Sequence, residues 1–236
     1  MIRTVAVLGF LALYLAVASL VGLPLAYLLR SPSVLYKLGR FGIAVALRLS
    51  GTRVVVEGRD HLRDGRNTVV MPNHVSHLDA PVLFEALGID FKAVAKKEVF
   101  KVPFLGRVLR FAGFIEVDRG DRTQSRRAVD RAAESLRAGN CFLIFPEGTR
   151  TRDGQLGPFK KGAFVAAIEA DSVIVPAALE GVRELMPRGR LRIQPGTIRL
   201  RLLDPVSTQG YSYDDRERLA AHVRGRIAEA LAGDAS

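Results

Sequence analysis

The residues best suited to acid–base chemistry lie in one short segment, residues 73–79, which contains His74, His77 and Asp79. The chain has four histidines, so two of them within four positions make this segment distinctive. When a carboxylate accepts a hydrogen bond from one imidazole nitrogen, the tautomer is fixed and the other nitrogen becomes available as a general base. We therefore predict that His74 is a catalytic base and that Asp79 orients it.

Helix capping is a second explanation of Asp79. Pro81 follows it closely, and proline is favoured in the first turn of a helix, so Asp79 would suit an N-cap position. Ser76 with Asp79 three residues later would instead form a capping box. On one unbroken helix His74 and Asp79 would lie roughly 140° apart. Their contact therefore requires a turn between them, which Pro72 and Ser76 favour, and capping remains compatible with orienting His74.

A predicted strand positions this segment. The apolar run over residues 68–71 leads into it and ends at Pro72, as in a buried strand that delivers polar side chains to the edge of an α/β sheet. Strands and helices alternate along the chain, so we predict an α/β fold with a mixed sheet flanked by helices. Pro176 in the middle of one strand indicates an edge strand or the end of pairing. The predicted strands are residues 53–57, 68–71, 91–95, 111–117, 141–145, 173–179 and 198–203, and the predicted helices among them are residues 79–87, 123–137, 163–170 and 214–231.

Two arginines also follow predicted strands. Arg119 and Arg150 carry forked donors that suit a phosphate group, and Gly148 would let the backbone approach a ligand closely. Taken singly, either arginine is better explained by a surface ion pair. Together, beside a His–Asp pair, they predict a phosphate clamp next to a general base.

The amino-terminal residues predict a membrane segment. Thr4 to Leu29 is a run of 26 residues without a charge. As a helix it would be about 39 Å long, against a hydrocarbon core of roughly 30 Å. A cleaved signal peptide fits less well because the run is too long and no convincing cleavage site follows it. Pro24 leaves both a full span and insertion into one leaflet open.

A second helix is predicted over residues 34–50. Lys37, Arg40 and Arg48 fall within an arc of roughly 80° on it, which is typical of a helix at an anionic membrane surface, although packing on the globular domain is the alternative. Basic residues after the apolar run outnumber those before it, so we expect the rest of the chain on the cytoplasmic side of a membrane. The predicted division is residues 1–50 for the anchor with its amphipathic helix and residues 51–236 for the globular domain.

The net charge of +11 favours anionic partners. Tryptophan is absent and tyrosine is scarce, so nucleic acid is not expected as a partner. Lys101 lies in a stretch, residues 96–105, where lysines alternate with apolar side chains. This pattern fits a solvated basic face as well as it fits a surface that meets a headgroup and an acyl chain. The single cysteine, Cys141, lies in an apolar run and is interpreted as a core residue.

Four blocks of the sequence resemble those of the glycerolipid acyltransferases, specifically the 1-acyl-glycerol-3-phosphate acyltransferases. Residues 73–79 match the Asn-His-x4-Asp block, and residues 145–150 match the Phe-Pro-Glu-Gly-Thr-Arg block. Residues 113–119 and 174–176 resemble the second and fourth blocks, in family order. The departures are His77, where an aromatic residue is common, and Glu116, where an apolar residue is usual.

The resemblance implies that a fatty acyl group passes directly from acyl-coenzyme A or acyl-carrier protein to lysophosphatidic acid, giving phosphatidic acid. His74 would take the proton of the acceptor hydroxyl, and neither a cofactor nor a metal is implied. The fold would be that of the glycerol-3-phosphate acyltransferases with an amino-terminal membrane anchor, so membrane lipids are expected partners. The predicted substrate-binding residues are Arg119, Glu147, Gly148, Thr149, Arg150 and Lys101.

Three alternatives remain open at this point. The acceptor could be glycerol-3-phosphate or another lysolipid. A metal-dependent hydrolase would use His74, His77 and Asp79 as ligands, but metal sites usually need further ligands and supporting groups. A non-catalytic lipid-binding protein would account for the charge and leave the His–Asp pair unexplained.

Overall fold

A computed structural model describes residues 2–62, 65–118, 120–151, 153–186 and 193–233. The helices are α1 (Ile2–Leu28), α2 (Ser33–Ser50), α3 (Asp79–Ala86), α4 (Leu105–Phe111), α5 (Arg122–Arg137), α6 (Gly162–Glu169), α7 (Val182–Leu185) and α8 (Arg216–Ala232). The strands are β1 (Thr52–Glu57), β2 (Thr68–Pro72), β3 (Phe91–Lys96), β4 (Ile115–Val117), β5 (Cys141–Leu143), β6 (Val173–Glu180), β7 (Gly196–Leu202) and β8 (Val206–Ser207). Short 3-10 helices cover Arg59–Leu62, Val99–Lys101 and Tyr213–Asp215.

The strands form one sheet in the order β1-β7-β6-β2-β5-β3-β4, and β8 pairs with β6 outside this path. β6 is antiparallel to β7 and β8, whereas the other neighbours pair in parallel. The predicted class, α/β with a mixed sheet flanked by helices, is confirmed. Since β2, β3, β4 and β5 run in the same direction, their carboxyl ends lie along one edge, and the segments after them meet there.

Apolar side chains cover both faces of the sheet. On β2, Val69 and Met71 point to the face covered by α5, α6 and α8, while Val70 points to the face covered by α3 and α7. These three side chains are completely buried. A strand buried on both faces has a continuous apolar sequence rather than an alternating one, which is why the run before Pro72 is unbroken.

Two sequence predictions need correction. Residues 111–117 were predicted to be one strand, but Phe111 ends α4, and the strand covers only Ile115–Val117. The prediction that Pro176 marks an edge strand is also wrong, because β6 lies inside the sheet between β7 and β2. The alternative, an end of pairing, holds on one side of β6, where the pairing with β8 ends at Ile174. Pro176 is tolerated there because β6 changes partner around it, from β8 at Ile174 to β7 at Ala177. At that point the missing N–H deprives no neighbouring strand of a hydrogen bond.

The amino-terminal helices pack on each other and on the sheet domain. Within the described residues, Arg3–Leu28 is the one helix whose length and composition would let it cross a membrane, with a mean hydropathy of 2.4. α2 ends at Ser50, so the predicted division of the chain coincides with a helix end. Arg40 of α2 pairs with Asp90 at 2.9 Å, and the buried Tyr36 hydroxyl donates to the Phe91 carbonyl oxygen at 2.6 Å. This face of α2 is therefore packed on the globular domain.

Candidate active site

The Asn73 side chain fixes the end of β2 through a pair of hydrogen bonds like those between neighbouring strands. The Asn73 side-chain amide donates to the Leu179 carbonyl oxygen at 3.0 Å and accepts from the Leu179 N–H at 2.7 Å. Asn73 is buried, and this pair continues the contact between β2 and β6 beyond Pro72. The backbone that carries His74 therefore leaves the sheet in a fixed direction.

His74 and Asp79 are in contact. The distance from His74 Nδ1 to Asp79 Oδ2 is 2.7 Å, and the carboxylate is completely buried. The same oxygen accepts from the backbone N–H groups of Val75, at 2.7 Å, and Ser76, at 2.9 Å. A turn between residues 74 and 79 thus brings together two side chains that one unbroken helix would separate, as the sequence argument requires.

The capping alternatives are only partly realised. Asp79 is the first residue of α3, and Leu78 rather than Asp79 occupies the N-cap position. The Asp79 carboxylate accepts the Ser76 N–H, which is one half of a capping box. The Ser76 hydroxyl oxygen accepts from the Leu78 N–H at 3.3 Å rather than from the Asp79 N–H, so the second half of the box is absent among the described residues. Orientation of His74 accounts for the carboxylate better than helix capping does.

The His74 ring is held flat and partly accessible. It stacks on the ring of Phe145, with ring centroids 3.9 Å apart and an angle of 19° between the ring planes. Phe145 lies two residues after the end of β5. The side chain is 20% exposed, and Nε2 makes no hydrogen bond within the described residues. An imidazole with Nδ1 engaged by a carboxylate and Nε2 open to a cavity can accept a proton from a bound hydroxyl group.

Glu147 joins the two motifs through the backbone. Its Oε1 accepts the N–H of His74 at 2.7 Å, and its Oε2 accepts the N–H of Gly157 at 2.9 Å. In the opposite direction, Thr151 N–H donates to the His74 carbonyl oxygen at 3.0 Å. Burial raises the pKa of the Glu147 carboxyl group, partly offset by these two backbone hydrogen bonds. Glu147 thus holds the His74 loop with one oxygen and the backbone at Gly157 with the other.

A cavity of about 210 Å³ opens beside His74. Its wall is mostly apolar and combines strand ends with small side chains from α5 and α6, which leave room between the two helices. A cation, Lys160, also lines it. The apolar lining consists of Val94, Val117, Ala128, Val129, Ala132, Ile144, Phe145, Pro146, Ala163 and Ala166.

The predicted phosphate-binding residues lie in different places. Gly148 lines the cavity with a left-handed φ of 70°, and an added Cβ would lie 2.8 Å from Lys160 Cδ, so glycine suits this turn on both counts. Arg150 is half-buried and Thr149 is exposed on the same loop. Arg119 lies outside the described residues. Lys101 does not line the His74 cavity but lines a second one, formed by residues 100–110.

Two contributors were missed in the sequence. Asn73 was noted as part of the motif, but its bridge to β6 depends on sheet order, which the sequence does not show. Lys160 precedes α6 within a Phe-Lys-Lys-Gly stretch, and a lysine pair before a helix resembles any solvated helix start. Within residues 2–62, 65–118, 120–151, 153–186 and 193–233, no group of three His, Cys, Asp or Glu side chains could hold a metal ion.

The chain is similar to known proteins in both sequence and fold. The family model described as Acyltransferase matches residues 53–180. The 1-acyl-sn-glycerol-3-phosphate acyltransferase of Limnanthes douglasii is 32% identical over 208 residues, covering 86% of this chain and 73% of that protein. The alpha form of Mus musculus is 33% identical over 190 residues, covering 80% and 67%. The crystal structure of the 1-acyl-sn-glycerophosphate (LPA) acyltransferase PlsC from Thermotoga maritima matches with a TM-score of 0.80 at 26% identity, covering 99% of this chain and 98% of that one.

Proposed function

The chain belongs to the acyltransferase family and is an enzyme, and from this premise we propose that it acylates 1-acyl-glycerol-3-phosphate. The acyl group comes from a thioester, acyl-coenzyme A or acyl-carrier protein, and the product is phosphatidic acid. The observation that carries the proposal is the His74–Asp79 contact at the wall of a mostly apolar cavity, which His74 lines together with the cation Lys160. The named activities of the relatives support the choice of acceptor.

The proposed reaction is direct transfer with His74 as general base. Nε2 of His74 takes the proton of the free glycerol hydroxyl while the hydroxyl oxygen attacks the thioester carbonyl carbon. Asp79 stabilises the imidazolium that forms. When the tetrahedral intermediate collapses, the carbon–sulfur bond breaks and the imidazolium returns its proton to the thiolate. Cys141 takes no part, since it is buried and its thiol pKa is raised to about 12 by burial.

The two ends of the substrates have different chemical requirements. A fatty acyl chain needs an apolar enclosure, and the cavity between α5 and α6 offers one that starts at His74. The acceptor phosphate needs cations, and we assign it to Arg150 and Arg119, with Lys160 as a further contributor. Gly148 and Thr149 complete this loop. Glu147 contributes by positioning His74, because an anionic carboxylate with both oxygens engaged is a poor phosphate ligand.

We assign residues 1–50 to membrane attachment and residues 51–236 to the acyltransferase domain, on the cytoplasmic side. Lysophospholipids with long acyl chains reside in bilayers, so an enzyme that uses them gains access by lying on the membrane. The helix α1, which carries no charged residue after Arg3, suits this role by its length and composition. Its packing on α2 and α4 would hold the domain close to the lipid.

The experiment is an assay of the purified full chain against a panel of acceptors and donors. Lysophosphatidic acid, glycerol-3-phosphate and lysophosphatidylcholine are each offered with acyl-coenzyme A and with acyl-carrier protein. We expect lysophosphatidic acid to give the highest kcat/KM. Preference for an acceptor without a phosphate monoester would contradict the assignment of Arg150 and Arg119.

A further inference from the structure

A second cavity of about 390 Å³ lies outside the His74 site. It is formed by the loop after β3 and by α4, residues 99–110, which we call the 99–110 patch. Three cations line it, Lys101, Arg107 and Arg110, around an apolar lining of Phe100, Val102, Pro103 and Phe104. None of its lining residues lines the His74 cavity.

The cations of the patch are largely uncompensated. The side chains of Lys101 and Arg107 are exposed and make no ion pair or hydrogen bond within the described residues. Arg110 lies over the Phe100 ring, 5.4 Å from its centroid, and approaches Glu116 at 3.5 Å. Lys101 and Arg107 line the same cavity without a carboxylate partner and repel each other, so this arrangement suits an anionic partner.

Apolar side chains are presented to solvent beside these cations. Phe104 is 41% exposed and Val102 is 43% exposed. Phe104 also has a φ of 62°, a conformation that a bulky residue rarely adopts and that costs free energy. The loop needs glycine at position 106, because a Cβ there would lie 2.0 Å from the Phe100 carbonyl oxygen. A strained, closely packed loop thus exposes Val102 and Phe104 to solvent, and exposed apolar side chains of this kind are typical of an interaction surface.

The position of the patch indicates what covers it. α4 packs against α1, with the rings of Tyr27 and Phe111 4.4 Å apart. Leu23 and Ala26 of α1 pack in the same cluster, near the end of the helix at Leu28. The patch therefore lies beside the carboxyl end of the helix that we assign to the membrane, where headgroups are expected.

We propose that the 99–110 patch is a second membrane-binding site, whose occupant is the surface of an anionic phospholipid bilayer. Val102 and Phe104 enter the interface, while Lys101 and Arg107 bind the phosphate groups of anionic headgroups. The inference rests on the proposed membrane location of α1. It adds a lipid preference that an apolar helix alone would not have.

The test measures insertion of the patch in the full chain. Val102→Cys is labelled with a polarity-sensitive fluorophore; Cys141 is buried with a thiol pKa raised to about 12, so it does not compete. The protein is reconstituted in vesicles of phosphatidylcholine, with or without one third phosphatidylglycerol. We expect a blue-shifted emission and quenching by spin-labelled lipid in the anionic vesicles. Val99→Cys provides a second label site, in case the first variant folds poorly.

Charge variants show whether headgroups are recognised. Each basic residue near an anionic surface contributes about 1 kcal/mol to membrane binding, which is about fivefold in partitioning. Replacing two of them, Lys101→Gln with Arg107→Gln, should therefore lower the ratio of inserted to water-exposed label by about 25-fold. Arg127→Gln with Arg131→Gln removes the same charge from the exposed side of α5 and should have no effect. Equal quenching in neutral and anionic vesicles would overturn the headgroup assignment.

The two proposals fail in different ways. Turnover of lysophosphatidic acid is measured in the same vesicles. A water-exposed label on a protein that turns over its substrate would overturn the second membrane site alone. An inserted label on a protein that transfers no acyl group would support the site and contradict the proposed reaction.

Discussion

Glu147→Gln separates two roles that the Glu147 carboxylate could have. The His74 N–H at 2.7 Å and the Gly157 N–H at 2.9 Å each need an acceptor, and a glutamine side chain has one carbonyl oxygen for both. The amide NH2 would then face one of these donors. A hydrogen bond to a charged group contributes about 1.5–3 kcal/mol. Relaxation of the His74 loop by about 1 Å would lower catalysis by up to about 100-fold.

The assay is steady-state acyl transfer, in which kcat and the acceptor KM are separated. Because Glu147 bonds to backbone groups, we expect kcat to fall about 10- to 100-fold, with little change in the KM for lysophosphatidic acid. Glu147→Asp is the matched control that keeps the charge but shortens the side chain. A raised acceptor KM with unchanged kcat would refute the role of Glu147 in positioning the His74 backbone and place Glu147 in the phosphate pocket.

The same variant has a defined effect on stability. Burial raises the pKa of Glu147 in the folded state. As the pH falls, the Glu147 carboxylate therefore binds a proton at a higher pH in the folded protein than in the unfolded chain. The stabilising contribution is therefore complete below the unfolded pKa of about 4.3 and is lost as pH rises through the folded pKa. Relative to the wild type, Glu147→Gln should gain free energy of unfolding as pH rises through that window, measured by chemical denaturation.

Three further predictions concern the site and its support. Asp79→Asn removes the negative charge whose Oδ2 lies 2.7 Å from His74 Nδ1. At a separation of about 4 Å between the charge centres and an effective dielectric constant of about 20, this charge is worth about 4 kcal/mol, so kcat should fall about a thousandfold. A double-mutant cycle should show almost no further loss in the His74→Ala background. Arg150→Ala should raise the apparent KM for lysophosphatidic acid more than it lowers kcat, and loss of folding in thermal unfolding would count against the phosphate role. Tyr36→Phe leaves the Phe91 carbonyl oxygen without its donor and should lower the free energy of unfolding by about 1–3 kcal/mol, while kcat stays unchanged.

Local sequence patterns predicted the parts of the site that depend on neighbouring residues. The turn between His74 and Asp79 follows from a strand that ends at Pro72 and from residue types that favour turns. The Phe-Pro-Glu-Gly-Thr-Arg motif over residues 145–150 follows a strand as expected, although β5 ends at Leu143 and not at the predicted Phe145. Both features are encoded within a few positions, where steric restriction and hydrogen bonding decide the backbone conformation.

Features that depend on long-range pairing were not predictable. Glu147 acts on the backbone of His74, 73 positions away, and this contact arises only because β2 and β5 are neighbours. Pro176 suggests an edge strand until the change of partner along β6 is known. Phe111 has high strand propensity, yet packing against Tyr27 of α1 favours a helix there. In all three places, tertiary contacts rather than local sequence determine the structure.

The most direct test of the proposed mechanism compares wild type with His74→Ala in phospholipid vesicles. Phosphatidic acid formed from lysophosphatidic acid and the preferred thioester is measured per enzyme molecule and per second. We predict a loss of about 10²- to 10⁴-fold in the variant, with the same thermal unfolding temperature and the same vesicle binding. Turnover in the variant equal to that of the wild type would contradict the assignment of His74 as the general base.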